Sequence, residues 1–469
     1  MVKNHTTGNA SMSNETVTLI SRDGRNKIVC AKYMEEFFQK EGYISSKKIH
    51  IKLLYLFYKL FNFAILRKIK TFFILFLRCK FFFKVSKHSE FVIFDAENVT
   101  AIEKILPNKN YIIISTRIDH ISKIYLSKKI IFFIIKNLSK RSLKQNYLTA
   151  LIKEIAPKIV ITNISDSQDF HIISKILHNE IKFIAIQTYG PHAFNFMFSE
   201  KDKKNFFIPK FFCYSEYEEL FYKEKKVNIR SFEPVGSLRS AISYEYVKSQ
   251  KLKINPNKYD ICLISEPHET LSRDWGHVKN LSDGIGQLAE FTYRLCKKHN
   301  LNIVFTGKGY KGTEGNHRQV DYYKHYLKNY DFEIFRAPPY NKKETDFNYA
   351  SYINIMQSKL VVAVMSSILR EAISFEKKIL YFNTIGHSDV TFPGSDIKFP
   401  QESIYILNKP SYELFEERVL KILSITNEEY FSQLGIKKSF IMVPTVETAN
   451  IMRKRLKEIA EENTNSNIK

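Results

Sequence analysis

Short runs of β-branched and aromatic residues alternate with stretches of helical period along most of this chain. The apolar residues in these runs are mostly continuous rather than alternating, which is typical of strands that are buried on both faces. Strands of this kind form parallel sheets, because the helices that connect them cover both faces of the sheet. In the first half of the chain, we predict such strands at Phe91–Phe94, Tyr111–Ser115, Lys158–Thr162, Lys182–Gln187 and Phe211–Tyr214.

The alternation breaks once and then restarts. The break covers residues 231–258, where "SFEPVGSLRSAISYEYVKS" is followed by the polar "QKLKINPNK". In the second half, strands are predicted at Tyr259–Ile264, Asn302–Thr306, Asp331–Phe335, Leu360–Val364 and Ile379–Phe382. A chain of 469 residues is also too long for one ordinary domain. We therefore predict an α/β protein with two parallel-sheet lobes that face a cleft.

These patterns divide the chain into six segments. The predicted segments are a disordered N-terminus (1–26), a basic amphipathic helical segment (27–89), a first lobe (90–240), a linker (241–257), a second lobe (258–460) and a polar tail (461–469). The N-terminal residues contain no apolar stretch that resembles a secretory signal. The five cysteines show no paired spacing, which argues against disulfides and a zinc site. Both features indicate a reducing cytoplasm.

The segment Gly42–Ser89 carries much of the chain's net charge of +24. It contains eleven Lys or Arg residues and no acidic residue. At about 100° per residue on a helix, seven of the basic side chains fall in a stripe roughly 120° wide, opposite an aromatic face. The stripe consists of Lys48, Lys52, Lys59, Arg67, Lys70, Arg78 and Lys84. The longest uncharged runs, Leu60–Leu66 and Thr71–Leu77, have only seven residues, whereas a spanning helix needs about 20.

A basic helix with an aromatic opposite face is typical of helices that lie in an anionic membrane interface. We therefore predict that Lys52, Lys59, Arg67 and Lys70 bind an anionic membrane surface. The alternative is a helix pair that packs on the first lobe and leaves its lysines solvated. Nothing in the segment resembles an RNA- or DNA-binding motif, so nucleic acid is not an expected partner.

One stretch of the second half, "VVAVMSSILREAISFEKKILYFN" at residues 361–383, predicts a strand, a serine turn, a helix and another strand. In open α/β sheets, ligands bind beyond the carboxyl ends of the strands, where this turn lies. Ser366 and Ser367 could simply cap the helix, or the free amides of the turn could bind phosphate. Glu371 lies four residues past Ser367, which is one too far for a capping box.

This unit, with "REA" followed by "KKILYFN", resembles the donor-site unit of the GT-B glycosyltransferases. The stretches "PVGSLR" near the break and "VFTGKG" on a strand of the second half extend the resemblance. It comes closest to bacterial capsule and surface-carbohydrate biosynthesis proteins, and it covers roughly residues 90–450. The chain differs at Glu376, where many relatives carry Gly. The resemblance implies two Rossmann-like lobes, an acceptor in the first, a nucleotide-sugar donor in the second, and no metal or cofactor.

The resemblance also implies roles for individual residues. Ser366 and Ser367 would hold the donor phosphate, and Glu371 would bind hydroxyls of its sugar. Lys308, in "TGKGYKG", and Arg273 would neutralise the phosphate charge, although Lys308 is equally well explained as a solvated loop lysine.

Polar residues also follow the predicted strands of the first half. His192, in "QTYGPHAF", follows Lys182–Gln187, and an imidazole there could deprotonate an acceptor hydroxyl as a general base. Its alternative is an ordinary turn residue. Asp166 and Asp169, in "NISDSQDF", are further candidates for the base, and Asp169 could instead cap a helix. The sequence contains neither HExxH nor DxD, so no metal site is predicted.

Together these features predict a metal-independent glycosyltransferase that moves a sugar from a nucleotide-activated donor to a surface polysaccharide or a lipid-linked glycan. We expect it to act as a peripheral protein on the cytoplasmic face of the cell membrane. Two alternatives remain open from the sequence. One is a nucleotide-sugar 2-epimerase, and the other is a non-catalytic scaffold that binds glycan or lipid.

Overall fold

The computed structural model describes residues 77–85, 89–95, 99–117, 120–188, 190, 204–265, 279–310, 314–337, 349–364, 366–383, 403–408, 411–435 and 437–466. Nearly all of these residues belong to the second of two compact units, Met1–Cys79 and Lys80–Lys469. Most of the predicted basic segment, with its four proposed membrane contacts, lies outside the described residues. None of the helices in the described part of the chain has both the length and the apolar character needed to cross a bilayer.

The strands are short and lie in chain order along both halves. They are β1 (Lys80–Phe82), β2 (Phe91–Phe94), β3 (Tyr111–Ile114), β4 (Lys123–Tyr125), β5 (Ile159–Thr162), β6 (Lys182–Ile186), β7 (Lys210–Cys213), β8 (Phe232–Pro234), β9 (Tyr259–Ile264), β10 (Ile303–Tyr310), β11 (Ile334–Ala337), β12 (Ser358–Ala363), β13 (Lys378–Asn383) and β14 (Ile406–Asn408).

Helices connect nearly all consecutive strands of each sheet. They are α1 (Val99–Glu103), α2 (Lys128–Asn137), α3 (Leu143–Ile155), α4 (Gln168–Leu177), α5 (Glu216–Glu224), α6 (Leu238–Ser249), α7 (Lys279–His299), α8 (Glu314–Tyr326), α9 (Tyr349–Met356), α10 (Ile368–Ser374), α11 (Tyr412–Ser424), α12 (Asn427–Ser432), α13 (Lys438–Ile441) and α14 (Thr445–Ser466).

Two six-stranded sheets form the two lobes, and every strand pair in them is parallel. The first sheet has the order β3-β2-β5-β6-β7-β8, and the second has the order β11-β10-β9-β12-β13-β14. The second order is the doubly wound Rossmann arrangement, in which the chain reverses direction between β9 and β12. The predicted fold class, an α/β protein with two Rossmann-like parallel-sheet lobes, is confirmed.

The apolar composition of the strands explains their positions. All four residues of β2 and β5 are buried, and so are all six residues of β13. Strands buried on both faces need helices on each side, which the βαβ connections supply. The predicted strands agree with the observed ones within about three residues at most ends, as expected for boundaries set by capping and fraying.

The structure differs from the predicted segments in two places. The predicted linker, residues 241–257, consists largely of α6, which begins at the serine of "PVGSLR". The final helix was assigned to the second lobe, but the apolar residues of α14 pack in the core of the first sheet. Those residues are Ala449, Met452, Leu456, Ile459 and Ala460. A turn at residues 442–444 carries the chain from α13 back to the first lobe.

A small parallel pair, β1 with β4, lies outside the two main sheets. Neither strand was predicted, because three residues are too few to show a periodic pattern. This pair joins the end of the predicted basic segment to the chain just before α2.

Candidate functional site

The candidate donor site begins at the loop between β12 and α10. Because β9 and β12 are neighbours in the second sheet although they are distant in sequence, this loop lies at the point where the strand order reverses. Ligands of doubly wound sheets bind beside that point, at the carboxyl edge. The loop contains Ser366 and Ser367, both half-buried.

Neither serine of this loop caps the helix that follows. Ser367 occupies the N-cap position of α10, but its φ of −57° and ψ of −19° are helical and its side chain makes no capping hydrogen bond. Other helix starts do use the hydroxyl of the N-cap residue, namely Ser127, Ser142, Ser167, Ser215, Ser237, Ser411 and Thr426. The alternative explanation of Ser367 as a helix cap therefore does not hold.

Glu371, on α10, is buried with 3% of its surface exposed, and both carboxylate oxygens accept hydrogen bonds. The hydroxyl of Ser237 donates to Oε1 at 2.6 Å, and the hydroxyl of Tyr352 on α9 donates to Oε2 at 2.8 Å. Ser237 also caps α6. The "PVGSLR" and "REA" stretches, which the sequence singles out separately, are thus in direct contact.

Burial raises the pKa of the Glu371 carboxyl above its ordinary value. The hydrogen bond from Ser237, the charge of Arg239, the hydrogen bond from Tyr352 and the charge of Arg370 oppose that shift. A carboxylate in this position is costly unless its neighbours stabilise it. The contacts indicate that Glu371 positions the β12–α10 loop against the start of α6.

The neighbouring Arg370 is fully buried and pairs with Glu218 of α5, which is also fully buried. Its Nη2 donates to the carbonyl of Ile441 at 2.6 Å, and its Nε donates to the same carbonyl at 3.1 Å. Glu218 in turn accepts from the backbone N–H of Ser215 at 2.9 Å. Arg370 therefore forms a buried ion pair and does not lie on the helix surface.

This pair shows how the two sheets meet. Glu218 lies in the first turn of α5, directly after β7, and Arg370 lies in the first turn of α10, directly after β12. The carboxyl edges of β7 and β12 therefore approach each other, and one buried ion pair joins the lobes. The amide of Gln187, at the end of β6, extends the cluster by donating to Glu218 at 3.2 Å.

Lys308 and Arg273 are the two predicted phosphate-binding cations, and the structure describes the backbone of Lys308. Lys308 lies within β10, which extends to Tyr310, rather than after the strand as predicted. The pairing of β10 with β11 is irregular between Thr306 and Tyr310, so Lys308 belongs to a bulged segment at the carboxyl edge. Arg273 lies outside the described residues.

The carboxyl edge of the first sheet carries a second group of polar residues. Asp166 follows β5, and no described group donates a hydrogen bond to its buried Oδ1. Asn163 is 2% exposed, and its Nδ2 likewise has no acceptor. Asp95 follows the adjacent strand β2 with a φ of 80°, and its Oδ1 is also without a donor. Buried polar groups left unpaired in this way are rare and often belong to functional sites.

The two remaining candidates of the first lobe differ. Asp169 lies in the first turn of α4 and pairs with Lys144 at 2.7 Å, while Ser167 supplies the cap. Its carboxylate is thus directed to α3, not to the edge that holds Asp166. His192 lies outside the described residues. Among the residues that the structure describes, no group of three or more His, Cys, Asp or Glu side chains could hold a metal ion.

Glu376, where many relatives carry Gly, has a φ of 58°. That left-handed conformation is easy for Gly and costs other residues free energy. In this chain the conformation is adopted by Glu376, whose side chain pairs with Lys438 at 3.0 Å.

Sequence reasoning missed several members of these clusters. Ser237 and Tyr352 were missed because their role depends on contacts with Glu371 across 134 and 19 residues of sequence, respectively. Asp95 could have been found, since an acidic residue directly after the strand "FVIF" lies at a ligand-binding edge.

Comparisons with solved structures find proteins of similar fold at low identity. UDP-GlcNAc 2-epimerase from Neisseria meningitidis, solved with UDP-GlcNAc, is 12% identical over 78% of this chain and 99% of its own, with a TM-score of 0.45. The wall teichoic acid polymerase TagF is 11% identical over 80% and 90%, with a TM-score of 0.43.

A UDP-forming trehalose-phosphate synthase from Burkholderia xenovorans is 9% identical over 80% of this chain and 99% of its own, with a TM-score of 0.40. No protein-family model matches the sequence. No curated protein matches it either.

Proposed function

We propose that this protein is a glycosyltransferase that transfers a sugar from a nucleotide-activated donor to a surface polysaccharide or a lipid-linked glycan. The observation that carries the proposal is the β12–α10 loop. It lies where the strand order reverses in the second sheet, and the hydroxyl of Ser367 is not used to cap the helix. A polar loop at this place is suited to hold the phosphates of a nucleotide.

The donor lies against the second sheet in this proposal. Ser366 and Ser367 bind its phosphates, and Lys308 and Arg273 supply positive charge. Glu371 accepts hydrogen bonds from Ser237 and Tyr352, so its proposed contribution is to position the loop. Phosphate recognition by hydroxyls and cations needs no bound metal, and none is proposed.

The acceptor lies against the first sheet. Asp166 is the proposed general base, because its unpaired buried oxygen can accept a proton from an acceptor hydroxyl. His192, in the segment after β6, remains a second candidate for the same role. Since glycans of this kind are built on lipid carriers, we propose that the enzyme works at the cytoplasmic membrane surface, bound through Lys52, Lys59, Arg67 and Lys70.

A panel of nucleotide sugars tests the reaction. Purified protein is incubated with each donor, with and without a lipid-linked acceptor, and nucleotide release and sugar identity are measured. We expect nucleotide release that depends on the acceptor. Interconversion of the sugar without acceptor would instead establish an epimerase, and failure to bind any nucleotide would leave a non-catalytic scaffold.

The role of Asp166 is tested by Asp166→Asn. Loss of the general base should lower kcat by about 100-fold or more while donor binding is unchanged. Asp169→Asn is the matched control, because that carboxylate pairs with Lys144 and should affect turnover less than threefold. Normal turnover in Asp166→Asn together with a large loss in a His192→Ala variant would transfer the role to His192.

A further inference from the structure

The helix α2 is unusual because its outward face is apolar. Phe132 is 68% exposed, Ile135 63%, Leu138 57% and Ile131 42%. At about 100° per residue, these four side chains fall within an arc of roughly 120°. We call them the α2 face.

The opposite side of α2 already packs on the protein. Ile130 is fully buried in the core of the first lobe, and Phe133 and Ile134 pack against that core. The helix is thus apolar nearly all round. A helix of that kind is normally covered on every side, so the α2 face indicates a surface that binds another apolar phase.

Along the chain segment that carries the α2 face, the charge has a single sign up to Glu154, whose carboxylate accepts a hydrogen bond from Ser127, the N-cap residue of α2. From His120 to Lys153 the chain contains eight Lys or Arg residues and no acidic residue. Lys128, Lys129 and Lys136 lie on α2 itself and are exposed. Apolar side chains flanked by lysines complement an anionic bilayer, where the apolar groups enter the interface and the lysines meet the headgroups. An apolar patch on a protein partner would not require charge of only one sign.

The strand pair next to the α2 face is also consistent with binding to an anionic bilayer. The strand β4, two residues before α2, pairs with β1, the strand at the end of the acid-free segment Gly42–Ser89. Phe83, which follows β1, is 74% exposed. Phe83 thus adds an exposed aromatic side chain next to the strand that pairs with β4.

We propose that the α2 face is a docking surface for an anionic lipid bilayer. It gives the first lobe its own contact with the membrane, in addition to the basic stripe. The chain leaves the first sheet at the carboxyl end of β3 and then forms β4 and α2. Asp95 and Asp166 lie at the same edge of that sheet. A lipid-linked acceptor would then reach that edge from the bilayer. The docking itself does not depend on the proposed reaction.

The test measures sedimentation of the full chain with vesicles of phosphatidylglycerol and phosphatidylcholine, and with vesicles of phosphatidylcholine alone. We expect the Phe132→Ser, Ile135→Ser double variant to lose at least tenfold in binding to the anionic vesicles. The matched control replaces two exposed leucines elsewhere, Leu220→Ser with Leu414→Ser, which are 44% and 49% exposed. The control should bind as the wild type does, and circular dichroism should show both variants folded.

Two further arms separate the possible results. Lys128→Gln, Lys129→Gln, Lys136→Gln should weaken binding to anionic vesicles and remove part of its salt dependence, because fewer charges are then screened. A variant with Lys52→Gln, Lys59→Gln, Arg67→Gln and Lys70→Gln measures the contribution of the basic stripe to vesicle binding separately. Wild-type sedimentation of the Phe132, Ile135 variant would overturn the proposal. So would a dimer of the wild type that this variant converts to monomer, since a second copy would then cover the face.

The outcome is independent of the reaction. If no nucleotide sugar is turned over but the α2 variant loses vesicle binding, the docking surface stands and the proposed glycosyltransferase fails. If turnover is found but the α2 variant still binds vesicles, the proposed glycosyltransferase stands and the docking surface fails.

Discussion

At the scale of single residues, the buried carboxylate of Glu371 joins the helix after the candidate donor loop to Ser237 and Tyr352. It lies near the start of a helix, where an acidic residue ordinarily contributes only a few tenths of a kcal/mol through the helix dipole. Here it accepts hydrogen bonds from Ser237 and Tyr352 on two other helices. Removal of the carboxylate would leave two buried hydroxyls without an acceptor, at about 1–3 kcal/mol for each.

The first prediction concerns Glu371→Gln. An amide of the same shape can accept from one hydroxyl and donate to the oxygen of the other, so the free energy of unfolding near neutral pH should stay within about 1 kcal/mol of the wild type. If Glu371 only positions the loop through Ser237 and Tyr352, kcat/KM should change less than threefold. A tenfold fall in kcat/KM at unchanged stability, equivalent to about 1.4 kcal/mol, would show direct contact with the donor sugar instead.

The pH dependence of the same variant gives a second measurement. Burial raises the pKa of Glu371 above its ordinary value of 4.5, so the folded state binds a proton more tightly there than the unfolded state does. This stabilisation is complete below pH 4.5 and is lost as the pH rises through the folded-state pKa. Denaturation between pH 4 and 8 should therefore show wild type losing stability relative to Glu371→Gln. Glu376→Gln, whose side chain is 73% exposed, is the control and should follow the wild type.

At the scale of elements, the last helix decides how the lobes are composed. α14 follows the second sheet in sequence but packs in the core of the first. Its start also lies close to the turn in "PVGSLR", where a Cβ added to Gly236 would come within 2.3 Å of Thr448 Oγ1. Two ion pairs hold it further, Arg453 with Glu245 and Arg455 with Glu233, both at 2.7 Å.

The prediction at this scale is that Met452→Ala destabilises the first lobe. Met452 is fully buried, and such a truncation costs about 2–5 kcal/mol because it leaves a cavity. Native-state hydrogen exchange should show faster exchange in β2 and β5, with β9 and β12 less affected. Val446→Ala, on the same helix but 61% exposed, should change neither region. Faster exchange confined to the second sheet would contradict the observed packing.

At the scale of the whole molecule, Arg370 and Glu218 join the lobes through a pair with no solvent exposure. A buried pair adds little net stability compared with apolar residues, but loss of one member leaves an uncompensated charge. Arg370→Met should therefore cost about 3–5 kcal/mol, and the double variant Arg370→Met, Glu218→Gln should recover part of that loss.

Chemical denaturation of the wild type, the two single variants and the double variant measures this coupling. The control is the pair Lys359 with Asp260, at 2.7 Å within the second lobe, whose lysine is exposed, and Lys359→Met should cost no more than about 1 kcal/mol. We also expect Arg370→Met to separate the unfolding of the lobes into two transitions. Additive effects of the two single changes would show that the pair does not couple the lobes.

The fold class and the positions of most strands follow from the sequence. Strands buried on both faces have continuous apolar runs, so β2, β5 and the apolar parts of β9 and β13 can be recognised without any knowledge of their neighbours. The serine turn at Ser366 and Ser367 was also recognisable, because a parallel strand places the residues after it at a ligand-binding edge.

The contacts that cross the molecule could not be predicted from the sequence, because they depend on how distant segments meet. An arginine and a glutamate on helices are ordinarily exposed, and only the pairing of Arg370 with Glu218, 152 residues away, allows both to be buried. The same holds for the hydroxyls that surround Glu371 and for α14, whose amphipathic pattern fits either sheet. A periodic pattern shows which face of a helix is buried, but the surface that buries it depends on the path of the whole chain.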